Sequence, residues 1–260
     1  MHPLIDTHTH LYDKSFDADR EAVIQRAGAA GVEKIITVSE TMADARRNLE
    51  LADQFPALLP AAGLYPAHTD PEAAAQMRAF IRAHREKLAA IGEVGLDFRL
   101  VEDHDQRRIQ REILEAFVDL SLETELALNV HSRSAGRHAV ELLIGKKAKK
   151  VQLHAFDGKF GAALPAVEAG YFFSVPPSVA RSRQKQKLVR NLPLSCLLVE
   201  TDSPVLGPDP QTRNEPANAA VALNHIAEIK NISPEAAAEA IYENTCRLYG
   251  PWISQPAALT

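Results

Sequence analysis

Positive charge is in short supply. The 260 residues carry 29 Lys and Arg against 34 Asp and Glu, a formal net charge of −5, so any nucleic-acid partner would have to be met by a local basic surface rather than a general positive field. That excludes a high-affinity DNA-binding scaffold and leaves room for an enzyme that meets nucleic acid briefly. Cysteine is scarcer still. Cys196 in SCLLVE and Cys246 in ENTCRLYG lie in apolar patterns and are too few for a disulfide framework, so both read as reduced core residues. Aromatic residues make up only 6% of the chain, which predicts a core that is mostly aliphatic. No run approaches the roughly 18 apolar residues of a membrane helix. The opening MHPLID lacks the charged, apolar and small-residue sections of a secretory signal, and the expectation is a cytoplasmic protein with no membrane partner.

Repeats, low-complexity tracts and Pro/Ser linkers are absent too, so residues 1–260 are expected to form a single domain. What remains is an alternation of short β-rich runs with amphipathic helical patterns. The strand candidates are LID (4–6), KIITVS (34–39), ALLPAAG (57–63), LAAIGE (88–93), LALNV (126–130), VQLH (151–154), YFFSV (171–175) and CLLVE (196–200). Between them, DADREAVIQRAGAAG ends in Gly31, a plausible C-cap, and DHDQRRIQREILEAFVDLSLE opens with acids and spaces its apolar residues helically. Eight strands, each followed by a helix, predict an α/β fold of the (β/α)8 TIM-barrel type. A doubly wound open sheet is the alternative. It lacks its usual signature, because GAAG at 28–31 ends a helix instead of following a strand.

The chemistry gathers at the carboxyl ends of these strands. His8 and His10 are two apart, so in an extended chain both imidazoles face one side. Taken alone, such a pair is more often exposed or hydrogen-bonded than ligating. Glu93 follows LAAIG, His131 follows LALNV, His154 closes VQL, and Asp202 follows CLLVET. Each has a bland explanation: a turn acid, a helix-start polar group, a satisfied core histidine, an N-cap. All of them fall at the end of the strands where barrels build active sites, which favours one shared site over several coincidences. Four imidazoles and two carboxylates suit zinc and similar ions, and the carboxylates also accept manganese or magnesium. Six ligands exceed the needs of one tetrahedral ion with an open position. Two divalent ions sharing a carboxylate are therefore expected, an arrangement suited to in-line displacement at phosphorus by a metal-activated water.

The motifs IDTHTHL, AIGEVGLDF, NVHSR, LHAFDG, ETDSP and RNEP occur in an order that resembles the TatD family of metal-dependent hydrolases, a branch of the amidohydrolase-like barrels. The resemblance covers nearly the whole chain. NVHSRSAGR and GYFFSVPPSVARSRQKQKLV look closest to the TatD-domain-containing subgroup. The resemblance implies that His8, His10 and Asp202 hold one metal, that His131 and His154 hold the second, and that Glu93 bridges them. It further implies that Asp202 accepts the proton of the attacking water. The activity it implies is that of a deoxyribonuclease removing nucleotides from the 3′ end, with DNA ends as the partner and zinc as the bound metal, magnesium or manganese serving in activity. The oligomeric state stays open, with a monomer expected.

Supporting residues are less specific. Arg133 in HSR shares the His131 loop and is expected to bind phosphate; a surface ion pair is the plainer reading. RSRQKQKLVR (181–190) holds Arg181, Arg183, Lys185, Lys187 and Arg190 without an acid. It is either a backbone-contact surface on the active-site face or one solvated helix face. KKAKK (146–150) precedes a strand and belongs to the opposite face. Arg213, Asn214 and Glu215 in QTRNEP are expected to orient substrate or buttress ligands, with Arg213 taken as substrate-binding. Asp97 and Asp157 lie near the site or stabilise their loops. The family usually has a glycine, one residue and then His-Pro; here GLYPAH puts Tyr65 at the histidine position, with His68 slightly later. Both are taken as substrate-facing. Tyr65 keeps open hydrolysis of a carbonyl substrate, such as a D-aminoacyl-tRNA ester or a small amide or lactone. A non-catalytic scaffold is the third reading, disfavoured by the complete ligand set.

Overall fold

The computed structural model describes residues 2–254. Eight parallel strands run in the order β1 to β8 around a nearly closed barrel: β1 (Leu4–Thr9), β2 (Val32–Thr37), β3 (Leu58–Ala62), β4 (Ala90–Gly95), β5 (Ala127–His131), β6 (Val151–Leu153), β7 (Phe172–Val175) and β8 (Leu197–Val199). Each pairs with the next in sequence. The circuit is completed beyond β8, where the Asp202 amide donates to the His8 carbonyl and the His10 amide to the Ser203 carbonyl, both at 2.8 Å. The expected (β/α)8 barrel is therefore the observed fold, and every strand candidate overlaps a strand.

Helices cover the outside: α1 (Arg20–Ala29), α2 (Met42–Gln54), α3 (Pro71–Ala83), α4 (His104–Thr124), α5 (Gly136–Gly145), α6 (Phe160–Glu168), α7 (Arg183–Asn191), α8 (Ala219–Lys230), α9 (Pro234–Tyr249) and α10 (Pro251–Ser254). Their starts follow local chemistry. Thr41 and Asp44 cap α2 reciprocally, Asp70 caps α3 ahead of Pro71, and Ser233 caps α9 ahead of Pro234. The first helix begins three residues later than its acid-rich pattern suggests. Asp19 stands at its N-cap without a capping bond, because Arg213 takes its carboxylate.

Apolar residues form two layers. Ile35, Leu51, Met77, Ile81, Leu114 and Phe117 belong to the main packed cluster of strands and helices. A smaller cluster joins Ile5, Ile36, Leu59, Ala90, Ala127 and Leu198 to Leu248, Tyr249 and Ile253 near the chain's end. Fully burying each large aliphatic side chain contributes about 1.5–3 kcal/mol, so the polar strand ends rest on a stiff apolar base. Among the described residues, no helix is long and apolar enough to cross a membrane.

Candidate metal centre

Alternation along β1 points Asp6, His8 and, just past the strand end, His10 to one side, and all three are buried. The β4 segment AIGEVG comes close enough to its neighbours only because of its glycines. A Cβ on Gly95 would lie 2.0 Å from the His131 carbonyl oxygen, and φ there is +153°. A Cβ on Gly63 of the preceding strand end would lie 2.5 Å from the Glu93 carbonyl oxygen. These close approaches bring Glu93 to within 3.2 Å of His131.

All six expected side chains converge. His8 Nε2 lies 3.3 Å from His10 Nε2, and Asp202 Oδ1 is 3.4 Å from the first and 3.2 Å from the second. His131 Nδ1 lies 3.0 Å from His154 Nε2, and Glu93 Oε2 is 3.2 Å and 3.3 Å from these two. The other Glu93 oxygen turns toward His10 Nε2 at 3.8 Å. The rings of His8 and His154 stack with centroids 3.8 Å apart. Three overlapping groups could each hold a cation, His8–His10–Glu93, His8–His154–Asp202 and Glu93–His131–His154, with their ligand atoms within 4.8 Å of one another.

The outer nitrogens of His8, His10 and His131 have hydrogen-bond partners, and that of His154 has none. His8 Nδ1 is 2.8 Å from the side-chain oxygen of Asn129, whose amide nitrogen donates to the Thr7 carbonyl. His131 Nε2 is 3.1 Å from Asp97 Oδ2. Those contacts put the ring proton on the outer nitrogen and leave a lone pair pointing inward. His10 Nδ1 meets the Tyr12 hydroxyl at 3.3 Å, and His154 Nδ1 lies 3.7 Å from Glu200. The inward-facing imidazole nitrogens thus meet one another and the carboxylate oxygens, and Glu93 Oε2 is buried with no hydrogen bond. This donor set fits a divalent cation.

The electrostatics state the same demand for positive charge. Burial disfavours charging His8, but the hydrogen bond and charge of Asp202 and then the charge of Glu93 outweigh it and raise its pKa to about 10. Burial is likewise outweighed at His131 by Asp97 and Glu93, which raise it to about 9. Burial and then the charge of His8 push His154 down to about 4. Burial would raise Glu93 and Asp202, yet the histidines around them hold both well below the ordinary carboxylate range. Behind the site, burial lifts Asp6 and Glu200 to about 7.

The surrounding residues divide into those that reach the site and those that do not. A cavity of about 420 Å³ opens over five of the six side chains, with His8 fully buried beneath, and is lined also by Glu40, Tyr65, Arg133, Asp157 and Lys185. Tyr65 donates its hydroxyl to Asp97 Oδ2 at 2.8 Å, so it steadies the carboxylate behind His131. Asp97 also accepts the Arg99 and Leu100 amides, which joins both roles considered for it. Of the basic run 181–190, only Lys185 lines this cavity. His68 is exposed and stands outside it. Arg213 stands outside as well. Its guanidinium grips Asp19 through both nitrogens at 2.7 and 2.8 Å and lies 4.5 Å over the Phe16 ring. The acid at the start of α1 holds it there, outside the lining of the cavity where it was expected to face substrate. Its neighbour Asn214 donates to the Thr201 and Val205 carbonyls at 2.7 Å and thereby holds the loop that carries Asp202.

Sequence reasoning assigned nothing to Asn129, Glu200, Asp6 or Glu40. Asn129 was findable, since it precedes His131 by two in a strand and so shares its side. Glu200 accepts the Ala155 amide at 2.8 Å and the Ser174 hydroxyl at 2.5 Å, pairings between distant segments that leave no local signal.

A family model described as "TatD related DNase" matches residues 5–250. A Homo sapiens protein named deoxyribonuclease TATDN3 is 40% identical over 258 residues, covering 95% of this chain and 94% of that protein. The Bacillus subtilis metal-dependent hydrolase YabD is 32% identical, covering 95% and 98%. The crystal structure of YJJV, a TatD homologue from Escherichia coli K12, superposes with a TM-score of 0.87 at 29% identity, covering 95% of this chain and 97% of that one.

Proposed function

The chain belongs to the TatD-related DNase family of metal-dependent hydrolases, and on that footing we propose that it removes nucleotides from the 3′ ends of DNA at a site holding two divalent cations. The observation that carries this reading is the inward convergence of imidazole nitrogens and carboxylate oxygens around Glu93, whose two oxygens face different histidine groups. His8, His10 and Asp202 hold one cation, His131 and His154 the other, and Glu93 lies between. Zinc suits the imidazoles, and magnesium or manganese can serve in turnover. When bound, the two cations supply Lewis acidity toward water and toward the phosphate oxygens.

The chain's own groups supply the rest. Asp202, held ionised by its histidine neighbours, accepts the proton of the attacking water. Asn129 and Asp97 fix the rings of His8 and His131. Arg133 and Lys185 in the cavity wall offer positive charge to phosphate oxygens. Those two cationic side chains in the cavity wall favour an anionic phosphodiester over a neutral amide or lactone, which would leave their charge unpaired.

Single-stranded oligonucleotides labelled at either end, incubated with magnesium, manganese or zinc beside an EDTA control, test the reading. Metal-dependent shortening from the 3′ end that vanishes in Glu93→Ala is the expected result. Turnover of carbonyl esters without any DNA cleavage would transfer the function to the carbonyl class.

A further inference from the structure

In the cavity over the site Glu40 stands on one wall, while Lys185 and Arg133, with Asp157 near them, stand on the other. In a barrel of strand order β1 to β8, β2 and β6 lie four places apart and so face each other across the axis. Glu40 stands just beyond β2. Tyr65 donates its amide to the Glu40 carbonyl at 3.0 Å, and the neighbouring Ser39 binds the Gly63 backbone and exchanges backbone hydrogen bonds with Gly92 and Glu93, so the position is rigidly set. Its half-buried carboxylate lines the cavity. Among the described residues, that carboxylate accepts no hydrogen bond and has no cation within 4.0 Å.

Across the axis, Lys185 reaches from the first turn of α7 and donates to the Ala155 carbonyl at 3.1 Å, immediately after β6 and His154. Among the described residues, no carboxylate lies within 4.0 Å of it. Arg133, just past β5, lines the same side with no side-chain partner among the described residues. Charges left unpaired in a partly dry cavity are costly unless a ligand supplies their complements. The volume of about 420 Å³ suits one nucleotide rather than a duplex.

Resting on the nuclease reading above, we propose that this cavity selects strand ends by their terminal group: phosphate oxygens lie against Lys185 and Arg133, and the free hydroxyl of the terminal sugar donates to Glu40. A hydroxyl supplies the donor that a carboxylate needs. A terminal phosphate brings like charge to the same wall and no donor, so a phosphorylated end is refused.

Calorimetric binding to the manganese-loaded protein tests this without relying on turnover. The probes are thymidine 5′-monophosphate, with a free 3′ hydroxyl, and thymidine 3′,5′-bisphosphate. The monophosphate is expected to bind at least tenfold more tightly. Glu40→Gln should shrink that ratio by tightening the bisphosphate, while Lys185→Met should weaken both ligands by a similar factor and keep the ratio. Thermal melting confirms that each variant is folded, and the ratio in the unaltered protein is decisive even if a variant is not. Equal or tighter binding of the bisphosphate, or no binding of either probe, overturns the proposal. The preserved ratio in a protein that cleaves no oligonucleotide would support end selection while rejecting the nuclease reading, so the two failures are distinct.

Discussion

The side-chain oxygen of Asn129 lies 2.8 Å from Nδ1 of His8, so a strand on the far side of the barrel decides which nitrogen of the first histidine faces the site. Replacing Asn129 with alanine removes the acceptor and leaves the ring free to turn. Metal affinity is then expected to fall by about 10- to 100-fold, the usual cost of losing such a partner. A chelator competition titration measures it, and an unchanged affinity would show that His8 is oriented by other contacts.

Tyr65 stands at the cavity wall with its hydroxyl committed to Asp97. Tyr65→Phe removes one hydrogen bond to a charged group, worth about 1.5–3 kcal/mol. The expected signature is weaker binding of the cation next to His131, with KM for DNA little changed. A change confined to KM would instead make Tyr65 a substrate contact.

Arg213 binds Asp19 and covers Phe16. Both members of the ion pair are about a third exposed, so solvent screening keeps the pair's contribution small. Arg213→Ala should lower the urea midpoint slightly and leave kcat and KM on DNA unchanged. A tenfold rise in KM would restore it as a substrate residue.

The six strand-end residues were legible because each lies at or shortly after the end of an apolar run, and parallel strands carry such positions to one face of a barrel. The strand candidates were legible for the same reason. What stayed hidden depends on long-range pairing. Asn129 meets His8 across 121 positions of sequence, and Glu200 meets Ala155 and Ser174, contacts that no local pattern encodes. The position of Arg213 was not legible because its motif lies near the eighth strand, while the acid that binds it lies at the start of the first helix. In the basic run 181–190 the sequence signals charge, but only the turn of α7 decides that Lys185 alone reaches the cavity.

Stability against pH should separate the metal-free and metal-loaded proteins. Without metal, His8 and His131 are raised from 6.5 to about 10 and about 9. Their contribution is full below the ordinary histidine value and is lost as pH rises through those raised values. Asp6 and Glu200, raised to about 7, act in the same direction over a lower range. Glu93, Asp97 and Asp202 are lowered, so their contribution is present above the ordinary carboxylate range and lost as pH falls through it. His154, lowered to about 4, also penalises acid. The metal-free protein should therefore be most stable at about pH 4–5, where the lowered carboxylates are ionised and Asp6 and Glu200 are still protonated, and weaken steadily toward pH 9. Metal binding needs unprotonated ligands and gains with pH, so the difference in urea midpoint between loaded and EDTA-treated protein should widen from pH 6 to pH 9. A constant difference would contradict the assignment of these histidines as ligands.

The central claim is that two cations sit around Glu93. Anomalous diffraction from crystals grown with zinc or manganese tests it directly. The account predicts two peaks, one beside His8, His10 and Asp202 and the other beside His131 and His154, with Glu93 between them. A single peak, or peaks remote from Glu93, would contradict it.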